Sequence, residues 1–314
     1  MSEMLVSGRH YPMSIQMYFK RAMKRLGHTV YSVGTFSGES GDIPWPGNPK
    51  FPQYVDKPDI ILPDSSSYSL KAVLLSNPNL KPDIVWSFDA GFRLIGSNPY
   101  GKTVLYGTDP HALDYRPYYK DYDYFFSAQK VNLPELAEWI PLAYDPEVHT
   151  CDNPINAESR PIDVCFIGVY GVPGDAGNPY LHRLNGLMAL NDAGLNVFMR
   201  TGLIFKECTD MYSQSKIAYN WSSSWDAAMR LWEGCAYGCC VVTNRIPYLD
   251  ELGFIDGETC VIFETYEELI SKTKQVLETG DWKRIAENGN RLITTYDNTY
   301  DARVETMLKS MGYE

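Results

Sequence analysis

The chain has few histidines, no long apolar run and no excess of positive charge. Five histidines are scattered among 314 residues, and no stretch approaches the roughly 20 apolar residues of a membrane-spanning helix. Residues 1–15 lack the apolar core of a secretory leader, which predicts a cytoplasmic protein. The net charge is −11 and the sequence pI is about 5.0. An acidic surface disfavours a polyanionic partner at long range but does not exclude one.

The seven cysteines also lack the spacing of a zinc site. No C-x-x-C pair is matched by a second such pair, and the number of cysteines is odd. The one D-x-D sequence, Asp121-Tyr122-Asp123, precedes a strand in the N-terminal half rather than ending one. We therefore expect reduced, buried thiols, no bound metal and no resident cofactor.

What the sequence does contain is an alternation of short apolar strands and amphipathic helices. Such alternation predicts an α/β fold with parallel, doubly wound sheets. In the N-terminal half, strands are predicted at 3–7, 28–34, 82–88, 102–107 and 122–127, with a helix ending at Leu26. In the C-terminal half, strands are predicted at 162–168, 195–199, 216–220, 239–243 and 259–263, with helices at 180–193, 227–237, 266–278, 281–295 and 301–311.

A proline-rich segment, 139–160, separates the two series and reads as an interdomain connection. The sequence therefore predicts two Rossmann-like domains, at 1–145 and 160–295, that face a cleft. Ligands of such sheets bind at the carboxyl ends of the strands.

The most informative segment is 216–253. Arg230 and Glu233 are three residues apart, so they share one face of the predicted helix near its start. An arginine beside a helix N-terminus can neutralise a pyrophosphate, and a glutamate one turn later can accept hydrogen bonds from a ribose diol. The competing interpretation is a surface ion pair on an ordinary helix.

The same segment resembles the donor-binding domain of group-1 glycosyltransferases, in particular their spore-maturation-protein-like branch. The family pattern is S-K-I-x-x-N, then R-x-x-E-x-x-A-x-G before an apolar strand, then an acidic E-L turn and a further strand before an E-E-L helix. The matching residues are Ser215, Lys216, Ile217, Asn220, Arg230, Glu233, Ala236, Gly238, Glu251, Leu252, Glu267, Glu268 and Leu269, with Trp139, Pro141, Leu142, Ala143 and Asp163–Gly168 before them. The resemblance is best over residues 161–303, nearly half of the chain.

The resemblance implies a GT-B fold, with residues 296–314 forming a helix that returns to the N-terminal domain. It also implies a UDP- or GDP-linked sugar donor in the C-terminal half, with Glu233 on the ribose and Arg230 and Lys216 near the diphosphate. Asn220 and the glycine-bearing loop that opens at Gly168 are further donor candidates.

The chain departs from the E-x7-E pattern of the retaining families. Trp225 stands eight positions before Glu233, and Asp226 is the nearest acid. Asp226 either replaces the first glutamate or that function is absent. The resemblance favours a retaining, metal-independent reaction.

Polar residues that follow strands of the N-terminal half are candidates for the acceptor side. Asp109 and His111 follow the strand 102–107 and are candidate catalytic groups, either as a general base or by orienting the donor sugar. The competing interpretation is a simple Asp-Pro turn. Asp89, Gly8 and His10 end other strands and are expected to line the cleft.

The acceptor stays open among a glycan, a small molecule, a protein and a modified DNA base. A DNA-modifying glycosyltransferase would use a basic patch on the first helix and the loop 36–58 as a clamp. The patch consists of Lys20, Arg21, Lys24 and Arg25, for which a solvated helix face is the simpler interpretation. A sugar-nucleotide epimerase on the same fold is a further alternative, whereas a secreted binding protein is disfavoured by the missing leader.

Overall fold

The computed structural model describes residues 1–11, 13–36, 57–63, 65–89, 92–110, 112–133, 135–151, 155–156, 158–171, 174 and 177–313. The chain divides into two compact units. The first comprises Met1–Pro141 and Tyr300–Glu314, and the second comprises Leu142–Thr299. Each unit is built around a parallel sheet, which is the organisation that the alternating pattern predicts.

The first unit contains a seven-stranded sheet in the order β3-β2-β1-β5-β7-β8-β9, and a two-stranded sheet of β4 and β6. Its strands are β1 (Glu3–His10), β2 (Thr29–Phe36), β3 (Ile60–Ile61), β4 (Ser67–Ser69), β5 (Ile84–Asp89), β6 (Arg93–Ile95), β7 (Lys102–Gly107), β8 (Tyr124–Ser127) and β9 (Glu138–Trp139). Its helices are α1 (Ile15–Arg25), α2 (Leu70–Ser76) and α8 (Tyr300–Ser310).

The second unit contains a five-stranded sheet in the order β11-β10-β12-β13-β14. Its strands are β10 (Ile162–Ile167), β11 (Val197–Arg200), β12 (Ser215–Asn220), β13 (Cys240–Asn244) and β14 (Val261–Phe263). Its helices are α3 (Leu181–Asp192), α4 (Lys206–Ser213), α5 (Arg230–Ala236), α6 (Tyr266–Thr279) and α7 (Trp282–Ile293).

Helices cover both faces of the second sheet. A Cβ at Gly186 of α3 would meet the Tyr219 ring, and a Cβ at Gly234 of α5 would meet Ala218. Because Ala218 and Tyr219 are adjacent in one strand, their side chains point to opposite faces. α3 and α5 therefore pack on opposite faces of β12. The strands are accordingly apolar along their length, which is typical of a parallel sheet that is buried on both sides.

The last helix completes the first unit. The ring of Tyr300 stacks on Tyr18 of α1 at 5.3 Å and meets Phe19 edge-on at 4.9 Å. Arg25 donates to both carboxylate oxygens of Asp301, the closer pair of atoms being 2.6 Å apart. An aromatic contact and a bidentate ion pair together fix α8 on α1.

Over the described ranges, none of the helices is both long and apolar enough to cross a membrane. All seven cysteines are free thiols, and all but Cys151 are buried.

Candidate functional site

The second sheet has its topological switch point between β10 and β12. From β10 the chain first adds β11 on one side, and then returns to add β12 on the other side. The connections that follow β10 and β12 therefore diverge, and an open α/β sheet binds its ligand in the crevice that this divergence creates. Gly168 directly follows β10, and Asn220 is the last residue of β12.

Arg230 reaches this crevice from the first turn of α5. Its Nε donates to Oδ1 of Asn220 at 3.3 Å, and its guanidinium carbon lies 4.8 Å from the centre of the Phe166 ring. A Cβ at Gly168 would lie 2.8 Å from Nη1 of Arg230, and the backbone there has a φ of 147°. Glycine at position 168 therefore lets the guanidinium lie directly against the main chain.

Arg183 reaches the same crevice from α3, on the opposite face of the sheet. Its Nε donates to the carbonyl of Trp221 at 2.9 Å and its Nη1 to the carbonyl of Val169 at 3.0 Å. Burial, and then the charge of Arg230, lower the pKa of Arg183 to about 10, an effect that Asp226 partly opposes. Two cations that raise each other's free energy form a site that an anion would stabilise.

The connection between β12 and α5 is held by side chains from the end of β13 and from the turn that follows it. Asn244 accepts from the Ser222 amide at 2.7 Å, and Ser222 donates its hydroxyl to Asp226 at 2.7 Å. The Tyr248 hydroxyl donates to the carbonyl of Trp225 at 3.0 Å. Trp225 itself has a φ of 59° and is 59% exposed, which is a strained conformation for a large side chain. Asp226 thus lies in the loop beside the two arginines.

Glu233 follows Arg230 by three residues and is buried. Burial raises the pKa of Glu233 to about 7, although the charge of Arg230 acts to lower it. Oε1 of Glu233 lies 3.7 Å from Nε2 of His149, whose ring is inaccessible to solvent. Arg230 and Glu233 therefore do not form a surface ion pair. The Glu233 carboxylate is buried beside His149, and the Arg230 guanidinium lies against Phe166.

Lys216 is not brought together with this group. It stands at the amino end of β12, where its Nζ pairs with Asp163 at 2.6 Å. Four residues of extended strand separate it from Asn220, which corresponds to roughly 13 Å. The expectation that Lys216 lies near the same site as Arg230 is not supported, because the two occupy opposite ends of the strand.

In the first unit, the candidate acceptor residues collect at one edge of the seven-stranded sheet. Gly8 and His10 end β1, which pairs with β5, and the backbone of Asp89 pairs with Gly107 at the end of β7. Asp109 follows two residues later. Its carboxylate accepts from Thr108 at 3.0 Å, and its charge, after burial, contributes to raising the pKa of Tyr11 to about 12. His111 lies outside the described residues.

Three local features accompany this edge. A Cβ at Gly8 would lie 2.9 Å from the Gln16 side chain, so glycine allows α1 to approach β1 closely. His10 is buried, with 2% of its surface exposed. Residues that follow Asp109 in the chain line a cavity of about 600 Å³. They include Pro110, Tyr115 and Tyr119.

The basic patch predicted on α1 is not a free cationic face. Lys20 is buried and donates to the Ser32 hydroxyl at 2.9 Å, and Arg25 is paired with Asp301. Lys20 and Arg25 therefore belong neither to a solvated helix face nor to a clamp for nucleic acid. Most of the loop 36–58, the other part of that clamp, lies outside the described residues.

Sequence reasoning missed two residues of the group around Arg230. Arg183 could have been found as a cation in the first turn of the helix that follows Gly168. His149 lies in the segment taken as a connection, four residues after an aspartate that starts a turn. Neither carries a signal strong enough to stand out without the fold.

Comparisons with known proteins agree with this architecture. Residues 176–309 match the family model described as glycosyl transferase-like. No curated protein sequence matches the chain. Among solved structures, HepE of Anabaena in complex with UDP and glucose aligns with a TM-score of 0.69 at 10% identity, covering 99% of this chain and 100% of that one.

Two further structures align over nearly the whole chain. Sucrose-phosphate synthase of Thermosynechococcus elongatus gives a TM-score of 0.62 at 10% identity, covering 99% of this chain and 98% of that one. A glycosyltransferase of Rickettsia africae gives 0.62 at 13% identity, covering 98% and 97%. The fold is therefore GT-B, and the predictions of this fold class and of a glycosyltransferase are confirmed.

Proposed function

We propose that this glycosyltransferase transfers a hexose from a UDP-linked donor to an acceptor hydroxyl, with retention and without a metal ion. The observation that carries the proposal is that two arginines meet at the switch point of the second sheet: Arg230 lies against Gly168, and Arg183 donates to the carbonyl of the next residue, Val169. A nucleoside diphosphate would add negative charge beside this pair of cations, where Asp226 is the acid already nearby. UDP and glucose are the ligands named for the Anabaena structure of the same fold.

Each residue of the site has a defined task in this proposal. Arg183 and Arg230 bind the diphosphate and stabilise the charge that grows on it as the sugar departs. Fixed cations from both faces of the sheet perform the role that a divalent ion performs in other transferases. Glu233 accepts hydrogen bonds from the ribose hydroxyls, and Asn220 orients Arg230 through its side-chain oxygen.

The acceptor side belongs to the first unit in this proposal. Asp109, which follows the carboxyl end of β7, is the group that we assign to the acceptor hydroxyl. The cavity next to Pro110 carries tyrosine side chains, which bind sugar rings by stacking and hydrogen bonding. We therefore favour a glycan or a small hydroxylated molecule over a DNA base as acceptor, because Lys20 and Arg25, two of the four cations of the α1 patch, are engaged within the protein.

A thermal-shift series with UDP, GDP, CDP, TDP and ADP in the presence of EDTA tests the donor. A ligand at about 100 times its Kd stabilises the native state by roughly 2.7 kcal/mol, so UDP is expected to raise the melting temperature by several degrees. Release of UDP from UDP-glucose, followed by NMR of the product anomer, then tests transfer and retention. Equal, negligible shifts with all five nucleotides would contradict the proposal.

A further inference from the structure

Glu233 is surrounded by titratable groups from three elements. Arg230 precedes it on α5, Cys208 and Tyr212 face it from α4, and Tyr237 follows at the end of α5. Residues 142–149 supply the remaining neighbour, His149. Among the groups on α4 and α5, Arg230 is the one whose charge favours an ionised carboxylate.

The turn that carries His149 fixes which ring nitrogen holds the proton. The carbonyl of Asp145 accepts from the His149 amide at 2.8 Å, and the amide of Asp145 donates to Nδ1 of His149 at 2.9 Å. Because Nδ1 accepts this hydrogen bond, the neutral ring carries its proton on Nε2. Nε2 is the atom that lies 3.7 Å from Oε1 of Glu233. The protonated nitrogen of the neutral imidazole is therefore the one that lies beside the carboxylate.

The packing of the ring leaves it little freedom to turn. The imidazole is inaccessible to solvent and meets the Tyr237 ring edge-on, with 5.9 Å between ring centres. The Tyr237 hydroxyl in turn donates to the carbonyl of Val148 at 3.2 Å. The same tyrosine thus contacts the ring and the backbone beside it, which holds the turn against α5.

We propose that His149 is a positioning residue for donor binding, which acts by holding Glu233 ionised and directed at the ribose. The proposal rests on the role of Glu233 in the proposed function. An ionised carboxylate accepts hydrogen bonds from both ribose hydroxyls, whereas a protonated one must donate one of them. Burial alone favours the protonated form, so a fixed N–H donor beside Oε1 raises the fraction of Glu233 that can bind the donor.

Two variants separate this electrostatic role from packing. His149→Phe keeps a ring against Tyr237 but removes the N–H donor, and His149→Gln keeps an amide N–H near the position of Nε2. We expect the pKa of Glu233, measured by NMR on carbon-13-labelled glutamate, to rise by about one unit in His149→Phe. The His149→Gln variant is expected to stay close to wild type. An unchanged Glu233 pKa in His149→Phe would overturn the proposal.

Binding of UDP between pH 6.5 and 9.5 supplies the second measurement. In His149→Phe, affinity is expected to fall about five- to tenfold near pH 7 and to approach that of wild type above pH 9. An affinity loss that is equal at every pH would indicate a packing role and overturn the proposal. In a Glu233→Gln background, His149→Phe should add no further pH-dependent loss.

The two proposals fail in distinguishable ways. If UDP does not bind wild type at any pH, the proposed function fails, while the Glu233 pKa still reports whether His149 acts on the carboxylate. If His149→Phe does not fold, the nitrogen-15 spectrum of the wild-type imidazole decides. A proton on Nδ1 rather than Nε2 would then overturn the positioning role.

Discussion

Replacing Arg230 by methionine should weaken UDP binding strongly without destabilising the ligand-free protein. A hydrogen bond between charged groups contributes about 1.5–3 kcal/mol, so the variant should raise the Kd for UDP about 10- to 150-fold. Methionine keeps an apolar stem beside Phe166, against which the guanidinium now lies.

In contrast to the loss of UDP affinity, we expect the Arg230→Met variant to leave the stability of the ligand-free protein unchanged or slightly increased. The pKa of Arg183 falls from 12.5 to about 10, first through burial and second through the charge of Arg230. A shift of that size disfavours charged Arg183 by roughly 3 kcal/mol in total, and the Arg230→Met variant removes the part that Arg230 causes. The melting temperature without ligand should therefore be unchanged or slightly higher.

Calorimetric titration with UDP, together with thermal unfolding, tests both halves of this prediction. Arg284→Met is the matched control, because Arg284 is an exposed arginine of the same unit that pairs with Asp281. Lys216→Met should also leave UDP affinity within about twofold of wild type, since Lys216 lies at the other end of β12. A loss of less than threefold in Arg230→Met, or an equal loss in Lys216→Met, would refute the reasoning.

Three further predictions concern stability. Because the pKa of Glu233 is raised from 4.5 to about 7, native stability is lost as the pH rises through that window, and ionised Glu233 costs roughly 3 kcal/mol above it. Glu233→Gln should therefore resist urea better than wild type at pH 8 but not at pH 4.5; equal midpoints at both pH values would contradict this. Arg160 is buried and donates to the carbonyls of Tyr212, Ser215 and Tyr237, so Arg160→Leu should cost at least about 3 kcal/mol in urea unfolding. Trp225→Gly should not lower the melting temperature, because glycine removes about 1 kcal/mol of left-handed strain; a drop of several degrees would argue for packing by the indole.

The strands of both sheets could be predicted from sequence because they are apolar runs bounded by glycine, proline and polar residues. The predicted strand 102–107 coincides with β7, and the predicted strand 216–220 differs from β12 by one residue. The helix α4 was not predicted, because its sequence KECTDMYS buries only Cys208 and Tyr212 and offers no clear apolar stripe. The predicted helix 227–237 was too long, since α5 begins only at Arg230, after the loop that Asn244 and Tyr248 hold.

The candidate site could be predicted in part. Arg230 and Asn220 are in contact, and Gly168 lies against the guanidinium, as expected of residues that end neighbouring strands. Arg183 and His149 could not be recognised, because their importance comes from convergence in space of segments that are distant in sequence. Lys216 shows the reverse error. A residue can belong to a recognisable pattern and still lie at the wrong end of its strand.

The position of α8 has a consequence for the order in which the chain folds. The first unit includes residues 1–141, yet Tyr300 and Asp301, which cover Tyr18 and pair with Arg25, are synthesised after the whole of the second unit. Domains generally fold as units in the order of their synthesis. In this chain, synthesis of the second unit is complete at Thr299, before the residues of α8 that belong to the first unit have been added. We predict that a released chain truncated after Thr299 protects the amides of β12 from hydrogen exchange while those of α1 exchange freely. Full protection of α1 in that chain would contradict the prediction.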